Sequence, residues 1–112
     1  MTLYFKEIDD GNMNQEFLYN LDRARELAGI PFVITSAYRT PEKNKEVGGS
    51  VNSSHLKGLA VDIRVRSSSE RYTILNALIC VGFNRIGIGQ NFIHVDQDLE
   101  KVSNVIWTYK NK

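Results

Sequence analysis

Ser53-Ser54-His55-Leu56-Lys57-Gly58-Leu59-Ala60-Val61-Asp62-Ile63 is the stretch on which the reading of this chain turns. Leu59, Val61, Ile63 and Val65 are apolar, while Ala60, Asp62, Arg64 and Arg66 fall on the other parity. Period-two patterning predicts a strand with one face on a core. Asp62 then points away from that core, and His55 sits on the loop leading in. The arrangement recurs in Phe92-Ile93-His94-Val95-Asp96, where Ile93 and Val95 alternate with His94 and Asp96. The chain has two histidines, and both lie in these segments.

Two imidazoles and a carboxylate are the donors a catalytic zinc site uses, because such a site stops at three protein ligands and leaves a position for water. A lone histidine is more often a surface or hydrogen-bonded residue, and a His/Asp pair at this spacing is a weak signal by itself. What raises the metal reading is that both histidines sit with a matching aspartate on polar strand faces.

Upstream, Phe32-Val33-Ile34-Thr35-Ser36 is a β-rich run leading to Tyr38-Arg39. Arg39 is either a surface residue at a strand end or a fork for a peptide carboxylate or a polarised carbonyl beside the metal. Tyr38 is core or a wall of the cleft. Thr40-Pro41-Glu42-Lys43 predicts a short helix with Thr40 as cap and Pro41 in its first position. Residues 48–54 are rich in Gly, Ser and Asn and read as a loop lining a cleft. Ser54 either hydrogen-bonds the metal site or substrate, or caps the backbone. Gly58 permits a tight path between the ligand loop and the strand.

These residues carry a resemblance. Ser36-Ala37-Tyr38-Arg39-Thr40, Asn44, Val47-Gly48-Gly49, Ser54 to Ile63 and Ile93-His94-Val95-Asp96, in that order over about residues 30–96, resemble the zinc D-alanyl-D-alanine carboxypeptidase family, which also holds phage endolysins and murein endopeptidases. The resemblance implies the hedgehog/D-Ala-D-Ala peptidase fold, one zinc ion on His55, Asp62 and His94, and substrate contact by Arg39, with Ser54 and Tyr38 as further candidates. It also implies hydrolysis of peptidoglycan stem peptides or cross-links. Several relatives carry an acid three positions before the last histidine, where this chain has Asn91, which cannot accept a proton. Asp96 is then a candidate base, although on a strand its side chain should stand some 6–7 Å from that of His94, and orienting a ligand is the role it suits better. Gln90 cannot act as a base, and Glu42, Glu46 and Asp98 are candidates only if folding brings them close.

The remaining pattern fills in one α+β domain over residues 1–112, a mainly antiparallel sheet flanked by two or three helices. Residues 1–12 are polar and turn-like. Met13, Phe17, Leu21, Ala24, Leu27 and Ala28 form a helical stripe, with Asn12 as cap, Gly29 as stop, and Glu16, Asp22, Arg23, Arg25 and Glu26 on the solvated face. Ser67-Ser68-Ser69-Glu70 opens a second helix with Tyr72, Leu75, Leu78 and Ile79 at helical spacing. Phe83 to Gly89 and Phe92 to His94 form a hairpin, Gly87 and Gly89 being turn or close-approach positions. Val105 to Tyr109 is a last strand, with Trp107 as core or cleft wall.

A net charge of +1 offers nothing to nucleic acid or an anionic membrane. No run is long enough to cross a bilayer. Cys80, the only cysteine, lies in an apolar setting and reads as a buried inert thiol. The first residues lack the basic-then-apolar layout of a signal peptide. The expectation is a monomeric zinc peptidase, made in the cytoplasm and reaching the bacterial wall by phage delivery or holin release. The competing expectation, favoured by Asn91, is a zinc-containing binding or structural module without turnover.

Overall fold

The computed structural model describes residues 2–110. Its elements run α1 (Gln15–Ala28), β1 (Ile34–Ser36), α2 (Pro41–Glu46), β2 (Ala60–Arg64), α3 (Ser68–Cys80), β3 (Arg85–Ile88), β4 (Phe92–Asp96) and β5 (Val105–Thr108), with short 3-10 turns at Lys6–Ile8 and Ser54–Lys57. The five strands order as β1-β2-β4-β3-β5. All neighbours are antiparallel except β3 and β5, which are parallel. This is the α+β architecture, mostly antiparallel with three helices, that the patterning predicts.

The alternation around Asp62 fixes which way the sheet faces. Val61, Ile63 and Val65 on one side, with Ile86, Ile93 and Val95, are buried against Phe17, Leu18 and Leu21 of α1 and Ile74, Ala77 and Leu78 of α3. A one-residue slip of β2 would turn this apolar set to solvent, so burial locks the register that presents Asp62 outward. Asp62 and His94, two of the candidate site residues, stand on the opposite face of the sheet.

Several local expectations need correction. The α1 cap is Asn14, whose side chain accepts from Phe17 N–H at 2.9 Å, and not Asn12. Asp22 is buried, not solvated: its carboxylate accepts from the Thr2 hydroxyl at 2.7 Å and from the Leu3 and Tyr4 amides. It thereby ties down the N-terminal segment, which buries Phe5 despite its polar composition. Leu27, near the end of α1, is exposed, and so are Tyr72 and Ile79, because the buried stripe of α3 runs through Ile74, Ala77 and Leu78. Cys80 is exposed as well. Thr40 and Gly29 do cap as predicted, Thr40 accepting from Lys43 N–H at 3.1 Å and Gly29 taking a left-handed φ of 71°.

Candidate metal centre

The three metal candidates are delivered by different devices. His55 rides on the 3-10 turn at Ser54–Lys57, capped at one end by the Ser53 hydroxyl and closed at the other by Gly58. Gly58 has a φ of 69°, and a Cβ there would stand 1.9 Å from the Asn12 carbonyl oxygen. No other residue fits. Asp62 and His94 are direct cross-strand partners on β2 and β4. They belong to a row, Ser36, Asp62, His94, Gly87 and Trp107, that runs in register across all five strands on the open face.

One ligand atom from each of His55, Asp62 and His94 can be chosen so that all lie within 4.8 Å of one another. His55 Nδ1 lies 2.7 Å from the Ala37 carbonyl oxygen. A carbonyl only accepts, so Nδ1 carries a proton and Nε2 is the nitrogen turned to the cluster. His94 is turned the other way: its Nε2 lies 2.8 Å from Asp96 Oδ2, and its Nδ1 faces the cluster. These two nitrogens approach the same oxygen, Asp62 Oδ1, at 3.3 Å and 2.9 Å. Lone pairs so close require positive charge between them, supplied either by protons on the rings or by a metal ion. The donor set, two imidazoles and a carboxylate with both distal ring nitrogens engaged, could hold a metal ion.

The electrostatics agree. Burial pushes the Asp62 carboxyl up, but its hydrogen bonds to His55 and His94 outweigh that and hold it far below the ordinary carboxylate range. Burial lowers His94, and the carboxylates of Asp62 and Asp96 more than reverse this, so its imidazolium is favoured. Asp62 and Asp96 thus favour positive charge at His94.

Around this centre lies a cavity of about 260 Å³. Arg39 lines it, with Nη2 at 3.6 Å from Asp62 Oδ2, Nε donating to Ser36 Oγ at 3.1 Å and Nη1 donating to Asn44 Oδ1 at 3.3 Å. The buried Asn44 also donates to the Ser50 carbonyl at 2.8 Å, so it fastens the glycine-rich loop to Arg39. Ser54 lines the cavity too, with its hydroxyl donating to Asp98 Oδ2 at 2.8 Å. Tyr38 packs against the core and is not part of the lining.

Asp96 meets His94 directly, not at the 6–7 Å expected from strand spacing alone, because the two side chains lean toward each other. It is buried, and Arg85 Nε donates to its Oδ1 at 2.7 Å. Burial raises its carboxyl, but the bonds from His94 and Arg85 win and hold it low. Asn91 lies outside this cavity altogether, as do Glu42, Glu46 and Asp98. Among the described residues, the carboxylates lining the cavity are Asp62 and Asp96.

The sequence reading passed over Arg85, Lys101 and Tyr109, which also line the cavity. Arg85 donates to the Val102 carbonyl and lies 5.0 Å from the Trp107 ring centroid, joining the Asp96 carboxylate to the aromatic wall. Trp107 leans over Gly87 toward His94, with ring centroids 5.6 Å apart. A Cβ on Gly87 would stand 2.6 Å from Trp107 Nε1, so the glycine is where β5 sends its aromatic rings across β3.

Among the described residues no helix is long and apolar enough to cross a membrane. No curated protein matches the chain. A family model described as Peptidase M15 matches residues 1–96 of the 112, and on that match the chain belongs to the M15 family of zinc D-alanyl-D-alanine carboxypeptidase type.

Proposed function

We propose that this protein is a zinc-dependent peptidase that hydrolyses peptide bonds in bacterial peptidoglycan. The observation carrying this reading is the convergence of His55 Nε2, Asp62 and His94 Nδ1, with each ring's other nitrogen already engaged. A zinc ion held by these three residues supplies polarisation of a peptide carbonyl and activation of water near neutral pH. Arg39 places its guanidinium beside Asp62, where it can hold a substrate carboxylate or the oxygen on which negative charge develops. Trp107 and Tyr109 on one wall and the Gly48 to Ser54 loop on the other confine an extended peptide over the row. Asp96 keeps the proton on His94 Nε2 and so fixes which nitrogen faces the ion.

The reading extends to a monomer acting at the bacterial wall, with phage delivery or release through a holin as the route. A second reading, a zinc-holding module without turnover, is favoured by one observation. The two carboxylates that line the cavity are both committed, Asp62 to the cluster and Asp96 to Arg85 and His94, which leaves no free carboxylate as general base among the described lining residues.

Digestion of purified muropeptides separates the two. The peptidase releases cleaved peptide when zinc-loaded and none after chelation, and Asp62→Ala retains no stoichiometric zinc. Tight zinc binding with no product identifies the module, and full zinc occupancy in Asp62→Ala overturns the ligand assignment.

A further inference from the structure

The open face of the sheet continues past the metal centre. A second groove, of about 610 Å³, shares Asp62 and Phe92 with the metal-site cavity and is otherwise lined by Thr35, Arg64, Val65, Arg66 and Asn91. Arg64 pairs with Phe92 across β2 and β4, one step along from the Asp62–His94 pair. On one face of a strand that step is two residues, about 7 Å. It is roughly the distance between alternate side chains of an extended peptide lying along the strand.

The charges in this groove are unbalanced. Arg66 is paired with Glu70, its Nη2 at 3.1 Å from Oε2. Arg64 is exposed and makes neither a direct ion pair nor a side-chain hydrogen bond among the described residues, although its charge reaches Glu70 and helps to hold that carboxyl low. Asn91, also exposed, contributes a neutral amide that can donate, where a carboxylate would repel an anion. Its backbone is fixed, since its carbonyl accepts from Val65 N–H at 2.8 Å, and Arg71 Nη2 donates to the neighbouring Gln90 carbonyl at 2.6 Å. A guanidinium without a direct ion pair beside a side-chain amide is a carboxylate-binding combination; the Thr35 hydroxyl at the edge of the groove is turned to the Asp62 carbonyl at 3.4 Å.

We propose that this groove is a second substrate subsite, which binds a carboxylate of the peptide about two residues from the bond presented to the metal centre. The subsite rests on the peptidase reading for its substrate but not for its own chemistry. Two carboxylates could fill it. One on an internal residue means that the peptide runs through both cavities and the protein cuts within a chain. One at the peptide's C-terminus means that the chain ends in the groove.

The test uses a muropeptide stem in three forms: unmodified, with its internal carboxylate amidated, and with its C-terminus amidated. Binding is measured by calorimetry on the zinc-free protein and cleavage on the zinc-loaded one. Amidating the carboxylate that occupies the groove should weaken binding by about tenfold, as loss of one charge-assisted contact does. Arg64→Gln should cause the same loss for the unmodified stem and abolish the difference between that pair of peptides. Asn91→Asp should weaken the unmodified stem and spare the amidated one. The form that loses affinity tells which carboxylate sits there. Equal binding of all three peptides by the unaltered protein, or an Arg64→Gln variant indistinguishable from it, overturns the subsite. Arg64-dependent binding without zinc-dependent cleavage leaves the subsite standing and overturns the peptidase reading instead.

Discussion

His55 and His94 offer opposite ring nitrogens to one carboxylate oxygen, and they are held by different kinds of group. His55 gives its Nδ1 proton to a backbone carbonyl, Ala37 O, and its ring is placed by the path of a 3-10 turn. His94 gives its Nε2 proton to a side chain, Asp96, which is itself gripped by Arg85. A backbone acceptor is present whatever residue occupies position 37. A side-chain acceptor can be deleted by one substitution, and its removal leaves the Arg85 guanidinium, whose side chain is only 11% exposed, without its partner. The centre therefore has one ring secured by chain path and one secured by charge, and only the second ring's distal nitrogen is held by a side chain that one substitution can remove.

The largest effect expected from that asymmetry is at Asp96. Asp96→Ala should lower zinc affinity by about 10–100-fold, the usual cost of losing the partner that orients a ligating histidine. Asp96→Asn, whose amide oxygen still accepts from Nε2–H, should recover much of it. Ala37→Gly keeps the carbonyl and should stay within about twofold of the unaltered protein, as substitutions that touch no special feature generally do. Competitive zinc titration measures all three. Comparable losses in Ala37→Gly and Asp96→Ala would remove the distinction between the two histidines.

That asymmetry also marks how far the sequence could be read. Alternation around Asp62 and His94 is a period-two signal strong enough to place both on the open face, and the pattern predicts the hairpin of β3 and β4. The Ala37 carbonyl was invisible, because every residue has one and only the fold chooses which is used. Asp22 looked like surface because helical periodicity registers apolar positions only. Its burial depends on the N-terminal segment folding back over α1, a contact 20 residues away in sequence. Arg85 and Lys101 were missed for a related reason. A cation in a polar stretch carries no local signal, and its role appears only when β3 and the segment before β5 are laid beside β4. Asn91 is the reverse case. Its position drew attention only through the resemblance, several relatives having an acid there, and it lines the adjoining groove beside Phe92.

A smaller effect tests the wall on the His94 side. Gly87 lies between His94 and Trp107 in the cross-strand row, and a Cβ there would meet both Trp107 and Tyr109 within 2.7 Å. Gly87→Ala should push the two rings off His94 and cost about 1–3 kcal/mol, the usual range for overpacking. Urea denaturation followed by tryptophan fluorescence reads the stability and the changed setting of Trp107 together. Because His55 lies on the far side of the cluster, its hold on Ala37 should be untouched. An unshifted emission spectrum with unchanged stability would mean that β5 yields freely and the wall imposes nothing on His94.

The two holding devices are joined by Asp98, and this junction should give the smallest effect. Its backbone N–H donates to Asp96 Oδ1 at 3.1 Å, on the His94 side. Its carboxylate accepts from Ser54 Oγ at 2.8 Å and from Lys57 Nζ at 3.0 Å, at the two ends of the turn that carries His55. Burial pushes the Asp98 carboxyl up, but the Ser54 and Lys57 bonds overcome it and hold the group below its ordinary value. A carboxyl depressed in the folded state contributes stability above its unfolded pKa, about 4, and that contribution is lost as pH falls through the lower folded value. Asp98→Asn keeps the backbone donor and gives up the charge, so it should cost about 1 kcal/mol at neutral pH, the net worth of a typical hydrogen bond. The gap between variant and unaltered protein should hold steady from pH 7 to about 5 and narrow below about 4. Urea titrations of both metal-free proteins across that range decide it, because the Asp62 and His94 titrations are common to both and cancel in the difference. A gap that widens toward acid would mean the charge on Asp98 opposes the fold, and the turn bearing His55 would then be held by Ala37 and Gly58 without help from the His94 side.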